Sequence, residues 1–260
     1  LYMWEEPCIS GEKGSGTVFF SGCSLGCVYC QNREISNGGR GKKITVERLS
    51  DIFIELQKKG ANNINLVTPD HFVPQVIEAL KAAKMKGLNI PIVYNSGGYT
   101  KIDTLKDLEG YIDIYLPDLK YMDRMVSKKY SNAEDYFEFA SKSIGEMIRQ
   151  VGEPVLSSDG IMQKGVIVRH LALPGCIEDS KNIIKYLYDT FGDKIYISIM
   201  NQYTPIKHFS DYPDLNQKIT PKDYNKLIDF AINIGVKRGY IQEGDTALES
   251  FIPEFNGEGV

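Results

Sequence analysis

One local pattern recurs along this chain and limits its fold more than anything else in it: a short β-branched run, a loop, then a longer amphipathic stretch. Val, Ile and Thr suit a buried pleated surface. A strand that runs into a helix and then into another strand pairs with it in parallel. Strands are predicted at 17–21, 63–67, 90–95, 112–116, 166–171 and 196–200, with 239–242 as a short seventh. Helices are predicted at 46–59, 72–86, 104–108, 133–151, 180–191 and 221–234. Thr45 and Thr220 stand where a helix wants an N-cap oxygen, and Pro221 suits a first turn. Six βα units predict an α/β fold, a partial (β/α)6 TIM-type barrel with parallel strands. One domain is expected over residues 1–260, with a lead-in segment at 1–16, a barrel core at 17–242 and a C-terminal tail at 243–260. Two stretches, 152–164 and 204–218, break the rhythm and are predicted as surface loops, one of which would gate an entrance.

Parallel βα units gather their functional loops at the carboxyl ends of the strands. Cys23, Cys27 and Cys30 follow the first strand, and Asn65, Thr68 and His71 end or follow the second. Asn95-Ser96-Gly97-Gly98-Tyr99 follows the third and Pro117-Asp118-Leu119-Lys120 the fourth. Arg169 and His170 close the fifth, and Asn201-Gln202-Tyr203 follows the sixth. Six successive polar strand ends do not serve core packing. They describe a mouth lined for a small polar ligand.

The three cysteines form a CxxxCxxC triplet with no fourth cysteine nearby. A [4Fe–4S] cluster takes four thiolates, so three leave one iron open to a ligand that is not protein. A closed zinc site would want a second pair of Cys or His, but Cys8, Cys176, His71, His170 and His208 are scattered. A disulfide framework fits an odd set of five cysteines poorly. Gly22 and Gly26 give the loop backbone freedom to curl around inorganic sulfide. Cys176, after Pro174-Gly175, could donate hydrogen to a substrate radical, but a buried inert thiol is the commoner fate.

A net charge of −4 gives nucleic acid no electrostatic support, and Arg40, Lys42 and Lys43 form too short a basic run to change that. No stretch reaches the ~18 apolar residues of a membrane span. A cytoplasmic protein is expected, where thiols stay reduced.

The triplet, with Tyr29 before its last cysteine, resembles the signature of radical S-adenosylmethionine (SAM) enzymes. The whole chain is similar to the PflX family, relatives of pyruvate formate-lyase activating enzymes. The similarity runs through Trp4-Glu5-Glu6-Pro7-Cys8-Ile9-Ser10-Gly11, Asn63-Ile64-Asn65-Leu66-Val67-Thr68-Pro69, Tyr115-Leu116-Pro117-Asp118-Leu119-Lys120 and Arg169-His170-Leu171-Ala172-Leu173-Pro174-Gly175. It implies that Cys23, Cys27 and Cys30 hold the cluster and that SAM chelates the open iron. An external donor such as flavodoxin or ferredoxin would reduce the cluster, and a 5′-deoxyadenosyl radical would take hydrogen from the substrate. That substrate is a glycyl-radical enzyme in the activase reading. In a rival reading, a lyase or isomerase acts on a polar metabolite or modified nucleobase. A non-catalytic electron-transfer or sensor role is the third class. Leu1 is not an initiator methionine, so an N-terminal segment carried by the family is expected to be missing.

The resemblance also assigns ligands. Tyr29 would lie beside the SAM adenine, unless it is simply a packed aromatic. The Gly-Gly-Glu motif that relatives carry after strand two is absent, so Asn65, Thr68 or a carbonyl near Pro69 would hold the SAM amino group. Asn95 and Ser96 would meet the SAM carboxylate or ribose. Asp118 would help bind a monovalent cation, although Asn95 replaces one acid of that site and Lys120 offers Asp118 an ordinary salt bridge. Arg169 should face the mouth by strand alternation and clamp the carboxylate of SAM or substrate, with His170 facing away.

Overall fold

A computed structural model describes residues 1–37 and 39–242 of the chain. The C-terminal tail predicted at 243–260 lies outside the described residues. The strands are β1 (Gly16–Phe19), β2 (Ile64–Val67), β3 (Ile92–Ser96), β4 (Ile114–Pro117), β5 (Val155–Leu156), β6 (Met162–Leu171), β7 (Tyr196–Met200) and β8 (Gly239–Ile241). Between them run α1 (Pro7–Ser10), α2 (Arg33–Ser36), α3 (Val46–Lys58), α4 (Val73–Met85), α5 (Ile102–Asp107), α6 (Arg124–Ser131), α7 (Tyr136–Val151), α8 (Ile177–Phe191) and α9 (Pro221–Asn233). The sheet order is β1-β2-β3-β4-β6-β7-β8, parallel throughout, and β5 pairs antiparallel with the start of β6. Among the described residues β8 and β1 do not pair. The sheet is therefore an open barrel, the predicted six strands plus the short seventh.

Helix starts follow the local chemistry that the sequence announces. The Thr45 side chain accepts from Arg48 N–H at 3.1 Å and the Thr220 side chain from Asp223 N–H at 3.1 Å, each cap contributing ~1 kcal/mol. Helix α6 lies in a stretch where no helix is predicted. It starts because the Asp123 carboxylate accepts from Met125 and Val126 N–H, and it stops at Asn132, which takes the left-handed conformation at φ 50°. The segment 152–164 is not a free loop over the mouth. Its last residues begin β6, β5 folds back on them, and Ile161 packs by Gly11 at the amino end of the barrel.

Two apolar layers form. The larger fills the space between the sheet and its helices, and a smaller one inside the barrel joins Val93, Ile114, Leu116, Met162 and Ile167 to Cys8 and Ile9 of α1. Each such side chain contributes roughly 1.5–3 kcal/mol by leaving water. The lead-in segment is thus a plug for the barrel's amino end. Asn63 holds it, donating to the Ile9 carbonyl at 2.8 Å and accepting from the Ser15 hydroxyl at 2.6 Å. No helix among the described residues is long and apolar enough to cross a membrane.

Candidate active site

The plug closes one end of the barrel and leaves the other open, so the carboxyl ends of the strands surround a cavity of about 370 Å³. Cys23, Cys27 and Cys30 all line it. Their loop turns at Gly22 (φ +93°) and Gly26 (φ +59°), conformations that cost glycine little. It is anchored by the Val28 N–H, which donates to the Tyr130 carbonyl at 2.9 Å, and by the Gly22 N–H, which donates to the Ile35 carbonyl at 2.9 Å. Cys8 and Cys176 are not part of the cavity wall. Burial pushes each of their thiols up to about 11, which suits inert sulfur better than a reactive one.

Three thiols on one wall, without a fourth cysteine beside them, fit a cubane cluster with one open iron. Among the described residues no three His, Cys, Asp or Glu side chains converge on a single metal ion. Burial raises the Cys27 thiol and outweighs the downward pull of the nearby Lys120 ammonium and the Ser131 hydroxyl.

The other expected residues divide. Thr68, Asn95, Ser96, Asp118 and Arg169 line the cavity with the cysteines. Asn65 does not. It is fully buried in the barrel wall, where its Nδ2 donates to Glu5 at 2.7 Å and its Oδ1 has no hydrogen-bond partner. Thr68 carries φ +55°, rare for a β-branched residue, and its N–H donates to the Asn95 carbonyl at 2.8 Å. Tyr29 borders the cavity but is only 5% exposed. Its ring sits edge-on to Tyr130 and Tyr203, and its hydroxyl is 2.6 Å from that of Tyr121.

Asp118 and Lys120 form an ion pair at 2.5 Å. Burial works against the Lys120 ammonium, but Asp118 and Cys27 outweigh it and its pKa is raised. The acid that the resemblance gives to a monovalent cation therefore has a cation of the chain's own. Gly98 (φ +77°) makes this corner possible, since a Cβ there would lie 2.2 Å from the Asp118 carbonyl oxygen. The Tyr136 hydroxyl points at the Gly97 and Asp118 carbonyls, 2.9 Å from each, and accepts from Lys120 N–H at 3.0 Å.

Arg169 corrects an expectation. It faces the lumen as alternation requires, but the carboxylates it holds belong to the chain. Its Nε donates to Glu6 at 2.8 Å, and its Nη2 is shared between Glu5 and Glu6. Burial opposes charge on Glu6 and on Arg169, yet each is the other's remedy: the carboxyl pKa is lowered and the guanidinium pKa raised. The cavity thus has a floor of two acids and one base. The motif Trp4-Glu5-Glu6-Pro7 was visible in the sequence, but no local signal pairs it with a residue more than 160 positions away. His170 faces outward as predicted. Its Nδ1 meets the Leu119 carbonyl and its Nε2 the Ser180 hydroxyl, both at 2.8 Å, and burial pushes its pKa down to about 4.

The barrel is open at its seam, plugged below, and carries three thiols in the wall of its upper cavity. The family model for the radical SAM superfamily matches residues 17–162, more than half of the chain. The chain belongs to that superfamily, whose members use a [4Fe–4S] cluster and SAM. It is 28% identical to an uncharacterized protein of Methanocaldococcus jannaschii over 238 residues, 89% of this chain and 65% of that protein. It is 26% identical to the pyruvate formate-lyase-activating enzyme of Clostridium pasteurianum over 180 residues, 63% of this chain and 73% of that one. The crystal structure of Streptococcus suis SuiB bound to S-adenosylmethionine superposes with a TM-score of 0.60 at 15% identity, covering 88% of this chain and 50% of that one. The chain thus spans less than two thirds of the archaeal protein and half of SuiB.

Proposed function

We propose that Cys23, Cys27 and Cys30 hold the cluster and that the chain abstracts hydrogen from its substrate in the manner of the activating enzymes. The observation that carries this reading is the single cavity wall bearing three thiols of one loop and no fourth cysteine. When bound, the cluster and SAM would supply one-electron chemistry for hydrogen abstraction. The chain's part is binding, orientation and exclusion of water. Ser96, Asn95 and Thr68 line the cavity with the cysteines, which supports a role for them in meeting the polar groups of SAM. Lys120 adds positive charge near Cys27, which favours thiolate there. Flavodoxin or ferredoxin would serve as the electron donor.

Identity to the Clostridium activating enzyme supports a glycyl-radical protein as substrate. A polar metabolite is the second reading, and the closed floor of Glu5, Glu6 and Arg169 favours it, because ionised groups at the end of a cavity can select a small polar ligand. The test is anaerobic reconstitution of the chain with iron and sulfide, reduction, and assay of SAM cleavage. About four irons per chain and 5′-deoxyadenosine formation are expected. Cys27→Ala should lose both. Zinc without iron, or no cleavage by a fully loaded protein, would overturn the proposal. Deuterium appearing in 5′-deoxyadenosine from a glycine-labelled protein, rather than from a labelled metabolite, decides between the two substrates.

A further inference from the structure

Cys27 differs from Cys30. The Ser131 hydroxyl donates to its Sγ at 2.9 Å, whereas Cys30 has only a longer 3.4 Å approach to Ser36 on the cavity wall. Ser131 is also the end of a row of buried hydroxyls. Tyr121 lies 2.7 Å from Ser131, and Tyr29 lies 2.6 Å from Tyr121. All three are nearly sealed from water, at 5%, 1% and 3% exposure for Tyr29, Tyr121 and Ser131.

A hydroxyl has one proton to give. Ser131 spends its proton on sulfur, so it must accept from Tyr121. Tyr121 has then spent its own and must accept from Tyr29. The sulfur therefore sets the direction of the whole row, and each member polarises the next. The backbone holds the row in place. Ser131 closes α6, Asn132 caps that helix in the left-handed conformation, and the carbonyl of the preceding Tyr130 is the one that anchors Val28 of the cysteine loop.

A thiolate on a cluster gains negative charge when the cluster is reduced. A fixed donor on that sulfur stabilises the reduced form more than the oxidised form, which raises the potential. We propose that Tyr29, Tyr121 and Ser131 are positioning residues that orient Cys27 and raise the reduction potential of the cluster. This rests on the cluster reading above and goes beyond it, since it assigns Tyr29 a role through its side chain and gives Tyr121 and Ser131 a function.

The test is an EPR-monitored redox titration of the anaerobically reconstituted full chain without SAM, with iron content measured on each sample. Ser131→Ala should lower the equilibrium constant for one-electron reduction about tenfold, a midpoint ~59 mV more negative. Tyr121→Phe leaves the serine without its donor and should shift the same constant in the same direction by about threefold. Ser131→Thr keeps the hydroxyl and should keep the potential. Full iron content in Ser131→Ala with a potential like that of the unaltered chain overturns the proposal. If Ser131→Ala fails to load iron, the isosteric Tyr121→Phe decides, and an unmoved potential there overturns it. Absence of iron from the unaltered chain would instead strike the cluster reading itself.

Discussion

Replacing Arg169 by alanine removes the one cation that Glu5 and Glu6 share and strands two carboxylates in the barrel interior. All three side chains are at most 10% exposed, so water cannot fully substitute. Removing one partner of a buried pair costs about 3–5 kcal/mol, because the penalty is the remaining unpaired charge and not merely the lost hydrogen bonds. At 3 kcal/mol the folded-to-unfolded ratio falls by more than about a hundredfold, and the melting temperature of a chain this size by roughly 6 °C or more. Urea unfolding of the metal-free chain at neutral pH, followed by circular dichroism, measures it directly. Arg169→Lys should recover only part of the loss, since an ammonium cannot match the two-point fork to Glu6. The sign with pH is fixed by Glu6. Its pKa is lowered in the fold, so the stability it contributes is present above its ordinary value of 4.5 and disappears as pH falls through the lowered one. The cost of Arg169→Ala should therefore shrink in acid, where the stranded Glu6 carboxyl takes up a proton. A loss below about 1 kcal/mol at neutral pH, the range of exposed pairs, would refute the reasoning.

Gly98→Ala should destabilise by more than about 2 kcal/mol, because φ +77° and a Cβ 2.2 Å from the Asp118 carbonyl are both unfavourable; an unchanged urea midpoint would contradict this. Thr68→Gly should raise stability by up to about 1 kcal/mol by relieving a β-branched residue at φ +55°, the strain exceeding the entropy that glycine loses. A clear destabilisation of the metal-free chain would show that its side chain contributes more than its backbone costs. His170 stays neutral in the fold down to about pH 4, whereas the unfolded chain takes its proton near 6.5. Stability should therefore fall between those two values as pH drops, by up to about 3 kcal/mol from this residue. His170→Asn should flatten that part of the pH–stability curve.

Much of the barrel was legible because its cause is local. Strands read from β-branched runs fell within a few residues of the observed ones, and Thr45 and Thr220 capped their helices. The exceptions are also physical. Helix α6, Arg-Met-Val-Ser-Lys-Lys-Tyr-Ser, is short and polar and starts only because the Asp123 carboxylate finds two N–H groups. The start of β6 was missed because its partner β5, which gives that end of the strand its shape, is two residues long. In the site, the cysteine triplet and the polar strand ends were visible since a loop's spacing and a strand's alternation are properties of neighbours in sequence.

What no local pattern could reveal is which distant groups share the interior. Glu5 and Glu6 reach Arg169, and Ser131 reaches Cys27 across 104 positions, only because closing the sheet brings those segments together. The chain's order of residues determined the barrel, the spacing of its cysteine loop and the direction each side chain faces. Tertiary packing decided what each of them meets, because a buried charge or hydroxyl takes whichever partner the closed barrel puts within reach.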